Sequence, residues 1–248
     1  MKIGLLGIGN IGGTLARRLP TAGHEVKVAN SRGPETIDTD LLATGAQAVT
    51  ADEAVQGVDV VTLSVPFSAL PEVAATLSQV PAETVVLDTS NYYPNRDGRI
   101  EALENGQAES EWVAEQLGRP VVKAWNAVGP PTFAEGDRPA GDPDRVALPI
   151  AGDDAHAKVV ASRLVDDSGF DPVDAGSLAD SWRQQPGSPV YCTALTAAEI
   201  PDALAGAERD RLPTLREFAA QILIERMEHP EKEVDAEYGT QLSRMIYM

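Results

Sequence analysis

A doubly wound α/β fold with a parallel sheet and a small helical C-terminal part is the architecture the sequence predicts. Three observations predict it. Short apolar runs alternate with helical periodicity over the first two-thirds of the chain, as in βαβ units whose strands are covered on both faces. The first run, Ile3–Gly7, opens the spacing G-x-G-x-x-G at Gly7, Gly9 and Gly12. Beyond about Thr196 only helical patterns remain, interrupted at Asp210–Thr214, where a proline begins a new helix.

The elements follow in order. Apolar residues recur at helical spacing from Ile11 to Leu19, Gly23 stops that helix, and Glu25–Asn30 alternates as a strand. Gly45–Thr50 is a weak strand and Asp52–Gly57 a short helix. Val58–Pro66 is the strongest buried-strand signal, after which Ser68 is placed to cap a helix through Leu77. Glu83–Ser90 and Arg119–Val128 are further buried strands, separated by a polar helix near Ser110–Leu117. Arg145–Gly152 reads as the next strand of the same sheet, followed by a helix from Ala155 to about Asp167 and a short strand, Phe170–Gly176. Ser90–Gly106 and Gly129–Asp144 are polar or rich in proline and glycine. Loops of that length in a compact domain are usually functional or mobile.

Composition narrows the function. The 248 residues carry a formal net charge of -18 with a pI near 4.4, so no basic stripe invites nucleic acid or an anionic membrane. No apolar run is long enough to span a bilayer, and the opening Met1–Asn10 reads as a strand and not as a signal peptide. The single cysteine, Cys192, excludes an intramolecular disulfide and fits a reduced, cytoplasmic setting. It is read as a buried, inert thiol. The histidines at 24, 156 and 229 are scattered, so no metal site is expected. His24 reads as solvated in a turn and His156 as exposed. Neither G-x-S-x-G nor a P-loop lysine motif occurs, which removes hydrolase and kinase chemistry.

The glycine spacing carries the first chemistry. Gly7 permits a tight turn, Gly9 lets the backbone approach a pyrophosphate, and Gly12 allows close helix–strand packing. With Asn10 and Ile11 they open a helix whose N-terminal N–H groups face the phosphates. This Rossmann arrangement neutralises an anion without lysine. In the NAD version an acid ends the second strand and bonds the ribose 2′-hydroxyl. Here Asn30, Ser31 and Arg32 stand there. A neutral Asn30 does not repel a 2′-phosphate, the Ser31 hydroxyl donates to it, and the Arg32 guanidinium pairs with it bidentately. NADP(H) is therefore favoured over NAD(H), although Asn, Ser and the following Gly33-Pro34 also suit a plain turn.

Ligands of open α/β sheets sit beyond the carboxyl ends of the strands. Val65, Pro66, Asn91 and Asn126 are the cofactor-binding candidates there. Pro66 and Phe67 suit packing on a nicotinamide or ribose, and equally strand termination and core packing, and Asn91 and Asn126 suit bonding to a carboxamide or a second substrate. Tyr92 and Tyr93 offer flat apolar surface. Trp125 is read as core within its strand, and Lys123 as a cation pointing to solvent at the sheet edge. Hydride transfer to a flavin-like ring needs mainly positioning and water exclusion. A carbonyl substrate would call for a general acid, and no helical lysine suited to that role is evident. No catalytic residue is assigned.

"MKIGLLGIGNIGGTLARRL", "AGHEVKVANSRGP" and "VVTLSVP" resemble the coenzyme F420-dependent NADP oxidoreductase family. "VVKAWNAVGPPTF" and "PIAGDDAHAKVVASRLVDDSGFDPVDAGSL" extend the resemblance, which covers roughly Met1 to Tyr191. It implies a Rossmann domain over residues 1–150 and a smaller part, 151–248, completing a cleft between them. It also implies that Ser31 and Arg32 hold the 2′-phosphate, and that F420 is the co-substrate. The chain departs from the family pattern at Trp182, Arg183 and Gln185, in the 129–144 loop, and in the tail past Thr196. The expected function is hydride transfer between NADPH and a small-molecule, flavin-like acceptor such as F420. The alternatives are reduction of a small imine, carbonyl or metal chelate, or a non-enzymatic dinucleotide sensor. Leu215, Phe218, Ile222 and Leu223 in the tail suit packing on the main domain, a homodimer contact, or a partner surface.

Overall fold

The computed structural model describes residues 1–229 and 231–248. The chain opens with β1 (Lys2–Leu6), α1 (Asn10–Thr21) and β2 (Glu25–Ala29). α2 (Thr39–Leu42), β3 (Gln47–Ala48), α3 (Ala51–Ala54), β4 (Val60–Leu63), α4 (Leu70–Leu77) and β5 (Val85–Asp88) follow. α5 (Pro94–Asp97), α6 (Glu101–Glu104) and α7 (Glu109–Leu117) lead to β6 (Val122–Lys123) and α8 (Pro130–Glu135). β7 (Ala147–Ile150), α9 (Ala155–Asp167), β8 (Asp171–Asp174), α10 (Ile200–Ala205), α11 (Leu212–Met227) and α12 (Ala236–Tyr247) complete it. The main sheet is parallel, six-stranded and ordered β3-β2-β1-β4-β5-β6. The order reverses between β1 and β4, which places the ligand crevice at the carboxyl ends of those strands.

Alternation along the strands builds two cores. Ile3, Leu5, Val26 and Val28 pack with Leu15 and Leu19 of α1 and with Leu164 and Val165 of α9. Leu6, Val61, Leu63 and Val86 pack on the opposite face with Leu70, Leu77 and Val113 of α4 and α7. β1 approaches α3 so closely that a Cβ on Gly4 would lie 2.1 Å from the Ala54 carbonyl oxygen.

Several expectations change. Arg145–Gly152 does not extend the main sheet: β7 pairs in parallel with β8 alone, as a separate ribbon. The reason is that β6 ends at Lys123 and the chain then bends through Trp125, at φ 56°, leaving no ladder for a seventh strand. One antiparallel bridge, Lys123 to Ala151, ties the ribbon to the sheet. Trp125 is core, 1% exposed, but it lies past the strand end and not within it. Ser68 does not cap α4. It sits inside a 3-10 turn, Phe67–Ala69, and α4 starts without a side-chain cap. Both long loops contain short helices, α5 and α6 in one and α8 in the other. His24 is buried and not solvated: its Nε2 lies 2.9 Å from Asp167 Oδ2, and its Nδ1 3.2 Å from the Met1 amino group. The turn before β2 packs under the end of α9, a partner 143 residues away. Among the described residues no helix is long and apolar enough to cross a membrane.

In the tail, α11 packs on α12. Leu215, Ile222 and Leu223 are half-buried, whereas Phe218 is 54% exposed.

Candidate active site

The turn after β1 has the geometry a dinucleotide needs. Gly7 has φ 93°, and a Cβ there would strike the Ser64 carbonyl oxygen at 2.2 Å. A Cβ on Gly12 would strike the Gly7 carbonyl oxygen at 2.1 Å. At Gly9, by contrast, an added Cβ meets nothing within 4 Å. Sterics inside the protein thus require glycine at Gly7 and Gly12, while Gly9 borders open space where a ligand backbone fits. Gly13 N donates to Gly9 O at 2.7 Å, and the N–H groups ahead of it have no intrahelical acceptor. No acidic residue stands in the first turn of α1, so the helix dipole is unopposed there. Asn10 is exposed and Ile11 half-buried at this end.

Leu6 and Ala29 are paired across β1 and β2, so the Asn30–Arg32 turn sits beside the glycine turn. Asn30 Oδ1 accepts from Arg32 N at 2.9 Å, and Asn30 Nδ2 donates to Thr36 Oγ1 at 2.9 Å. Gly33 then turns the chain at φ 98°. Asn30 is therefore the organiser of the turn, an Asx arrangement, and Ser31 and Arg32 are held exposed by it. The Arg32 guanidinium makes no hydrogen bond or ion pair among the described residues, although many other arginines of the chain do.

At β4 the Gly7 position abuts Val65, whose Cγ1 would lie 3.1 Å from a Cβ there, and Pro66 is exposed at the mouth. Phe67 does not face it. The ring is wholly buried and stacks on Trp112 at 4.9 Å between centroids. Tyr92 is likewise core, 1% exposed, with its hydroxyl bonded to Glu104 at 3.1 Å. Asn91 and Asn126 come together: Asn126 Nδ2 donates to Asn91 Oδ1 and to Gln184 O, and Gln184 Nε2 donates to Asn126 Oδ1. Asn126, 2% exposed, has no N–H left for a ligand and serves to position Asn91, which keeps one. Gln184 ends the 3-10 segment Leu178–Gln184 and drew no attention in the sequence.

Lys123 departs most from expectation. It is wholly buried, not at a solvent edge. Its Nζ donates to Ser90 O at 2.8 Å and lies 3.6 Å from Asp88 Oδ2 and 3.5 Å from Glu109 Oε2. Asp88 also accepts from Ser90 N at 2.9 Å and from Ser110 Oγ at 2.9 Å. The cluster fixes the Ser90–Asn91 backbone at the carboxyl end of β5. Burial pushes the Glu109 carboxyl up to about 7, against the pull of Lys123 and then Arg216. One signal was available: Asp88 and Lys123 are register partners in two otherwise apolar strands.

Tyr93 and Tyr191 join hydroxyls at 2.9 Å, and burial raises both. Burial also pushes the Cys192 thiol up to about 12. The inert reading of Cys192 predicts that a disulfide-exchange thiol reagent at pH 8 leaves the native protein unlabelled and modifies it after urea unfolding. Fast stoichiometric labelling of the native protein would contradict this.

The parallel order, the crevice at its reversal and the glycine turn define a dinucleotide-binding α/β protein of the Rossmann class. Residues 2–92 match the family described as NADP oxidoreductase, coenzyme F420-dependent. The protein YjhV of Escherichia coli (strain K12) is 48% identical over 81 residues, which are 31% of this chain and 59% of that protein. Metalloreductase STEAP3 of Rattus norvegicus is 33% identical over 184 residues, 73% of this chain and 35% of that one. The chain thus spans about three-fifths of the first relative and about one-third of the second. The crystal structure of SMa0349 from Sinorhizobium meliloti superposes with a TM-score of 0.66 at 30% identity, covering 79% of this chain and 95% of the other.

Proposed function

We propose that this protein is an NADP(H)-dependent oxidoreductase that passes hydride between NADPH and a flavin-like small-molecule acceptor, with F420 as the leading candidate. The observation that carries it is the unpartnered Arg32 guanidinium, presented by the Asn30 turn beside the glycine turn. The open space at Gly9 and the bare first turn of α1 fit a pyrophosphate. In this reading residues 1–150 hold the nucleotide and 151–248 complete the cleft. Bound NADPH supplies the hydride. The chain's own residues orient it: Val65 and Pro66 border the ring site, and Asn91, held by Asn126, offers its remaining N–H. The acidic surface disfavours nucleic acid and membranes as partners, and the lone cysteine suits a reducing cytoplasm.

Arg32→Ala is expected to weaken NADP(H) binding about ten- to a hundredfold, the worth of a charge-assisted contact, and to leave NAD(H) binding unchanged. Titration with both nucleotides checks it, and equal losses would refute the 2′-phosphate role. For the acceptor, NADPH oxidation is followed with F420 and, separately, with a ferric chelate. The identity with a protein named a metalloreductase over 184 residues supports the chelate as the second reading. Turnover with the chelate alone would sink F420, and tight NADPH binding without any turnover would favour a sensor.

A further inference from the structure

We propose that the cavity between the loop after β5 and helix α11 is a subsite for an anionic group, carboxylate or phosphate, of the second substrate. The proposal rests on the oxidoreductase reading and adds to it the chemical class of acceptor. The cavity holds about 310 Å³ and is bordered by Tyr93, Pro94, Arg99, Arg216 and Glu217. Tyr93 lies two residues beyond Asn91, so the cavity opens beside the strand end where the acceptor is placed. That volume suits a portion of a ligand and not all of a drug-sized one.

Arg216 is the central observation. It is 7% exposed, with its guanidinium 5.3 Å from the Tyr92 ring centroid. One N–H direction reaches Glu217, at 3.3 Å, and that carboxylate is 57% exposed and so hydrated. Its Nε is buried without any partner. A buried N–H left unpaired is costly, and most native ones are matched. A guanidinium has five donors, and most of these point at nothing in the chain. Arg99 stands at the rim, 83% exposed, its nearest carboxylate Glu104 at 3.9 Å. Buried Glu109 also feels Arg216, so part of the arginine's role is to neutralise it. Neutralising Glu109 does not account for Arg99 at the rim of the same cavity. Two arginines lining one cavity supply the donors that a planar carboxylate or a phosphate takes. In a chain of net charge -18, an anionic acceptor needs such a local reversal of sign.

The test uses the full chain saturated with NADP+, into which citrate and inorganic pyrophosphate are titrated calorimetrically. A single saturable event is expected for one or both. Stronger citrate binding marks a carboxylate subsite and stronger pyrophosphate binding a phosphate one. Arg216→Gln should weaken it at least about tenfold, the loss of a charge-assisted contact. Should that buried substitution prevent folding, the exposed Arg99→Glu, a charge reversal, should still weaken binding severalfold. No saturable binding, or binding indifferent to Arg99→Glu, would overturn the subsite. Nucleotide affinity is measured separately. Normal NADP+ binding without anion binding would sink the subsite alone, and anion binding that responds to Arg99→Glu without NADP+ binding would sink the nucleotide reading alone.

Discussion

Lys123→Met is expected to destabilise the protein by about 3–5 kcal/mol, because it leaves buried carboxylates without their cation. Asp88 and Glu109 flank Lys123 at 3.6 and 3.5 Å, and all three side chains are almost fully excluded from water. The same change releases the Ser90 carbonyl, which Lys123 holds at 2.8 Å, so Asn91 should lose its fixed position as well. Urea unfolding checks the first effect and NADPH titration of the still-folded variant the second. Lys123→Met combined with Glu109→Gln should recover part of the loss, since the pair then leaves together. A single variant as stable as wild type would mean that the cluster is solvated in solution.

Glu109 adds a pH dependence of defined sign. Its pKa rises from 4.5 to about 7 on folding, so between those values the native state holds a proton that the unfolded chain releases. Stability from this group is full below about 4.5 and is lost as pH rises through 7. The span corresponds to about 3 kcal/mol. Glu109→Gln should flatten the decline in urea midpoint between pH 5 and pH 8 and raise stability at the upper end. An unchanged slope would remove Glu109 as its source.

The second large effect separates two glycines of one motif. Gly12→Ala places a methyl 2.1 Å from the Gly7 carbonyl oxygen, so helix and strand must part. Overpacking of this kind costs about 1–3 kcal/mol, and nucleotide binding should fail with it. Gly9→Val meets no protein atom within 4 Å of its Cβ and keeps a backbone that other residues adopt, at φ -66°. Its stability should stay within about 0.5 kcal/mol of wild type, while NADPH affinity drops at least about tenfold because the side chain occupies the path of the pyrophosphate. Thermal melts beside nucleotide titrations distinguish the two. Normal NADPH binding by Gly9→Val would place the nucleotide elsewhere.

The parts of the site readable from sequence share a physical property: they are local. The positive φ at Gly7, the bare N-terminus of α1 and the Asn30 turn are set by neighbours within a few residues. Helix α9, Ala155–Asp167, was legible in the sequence over the same residues. The misreadings are equally consistent. Lys123 and His24 looked solvated because no partner is near them in sequence, yet Glu109 is 14 residues from one, and Asp167 143 from the other. Phe67 suited a ring wall or the core equally in the sequence, and Trp112, which it stacks on, decides for the core. Asn126 looked like a ligand donor until Gln184 took its hydrogen bonds.

By itself, then, the sequence determined the α/β class, the glycine turn and the charge reversal at Ser31–Arg32 that favours NADP(H), because backbone preference and short-range chemistry decide those. Tertiary structure alone decided that β7 leaves the sheet, that a lysine lies buried between two carboxylates beneath the mouth, and that Arg216, more than nine-tenths buried, lines a cavity. Burial and ion pairing depend on which distant segments are packed together, and no spacing along the chain records that.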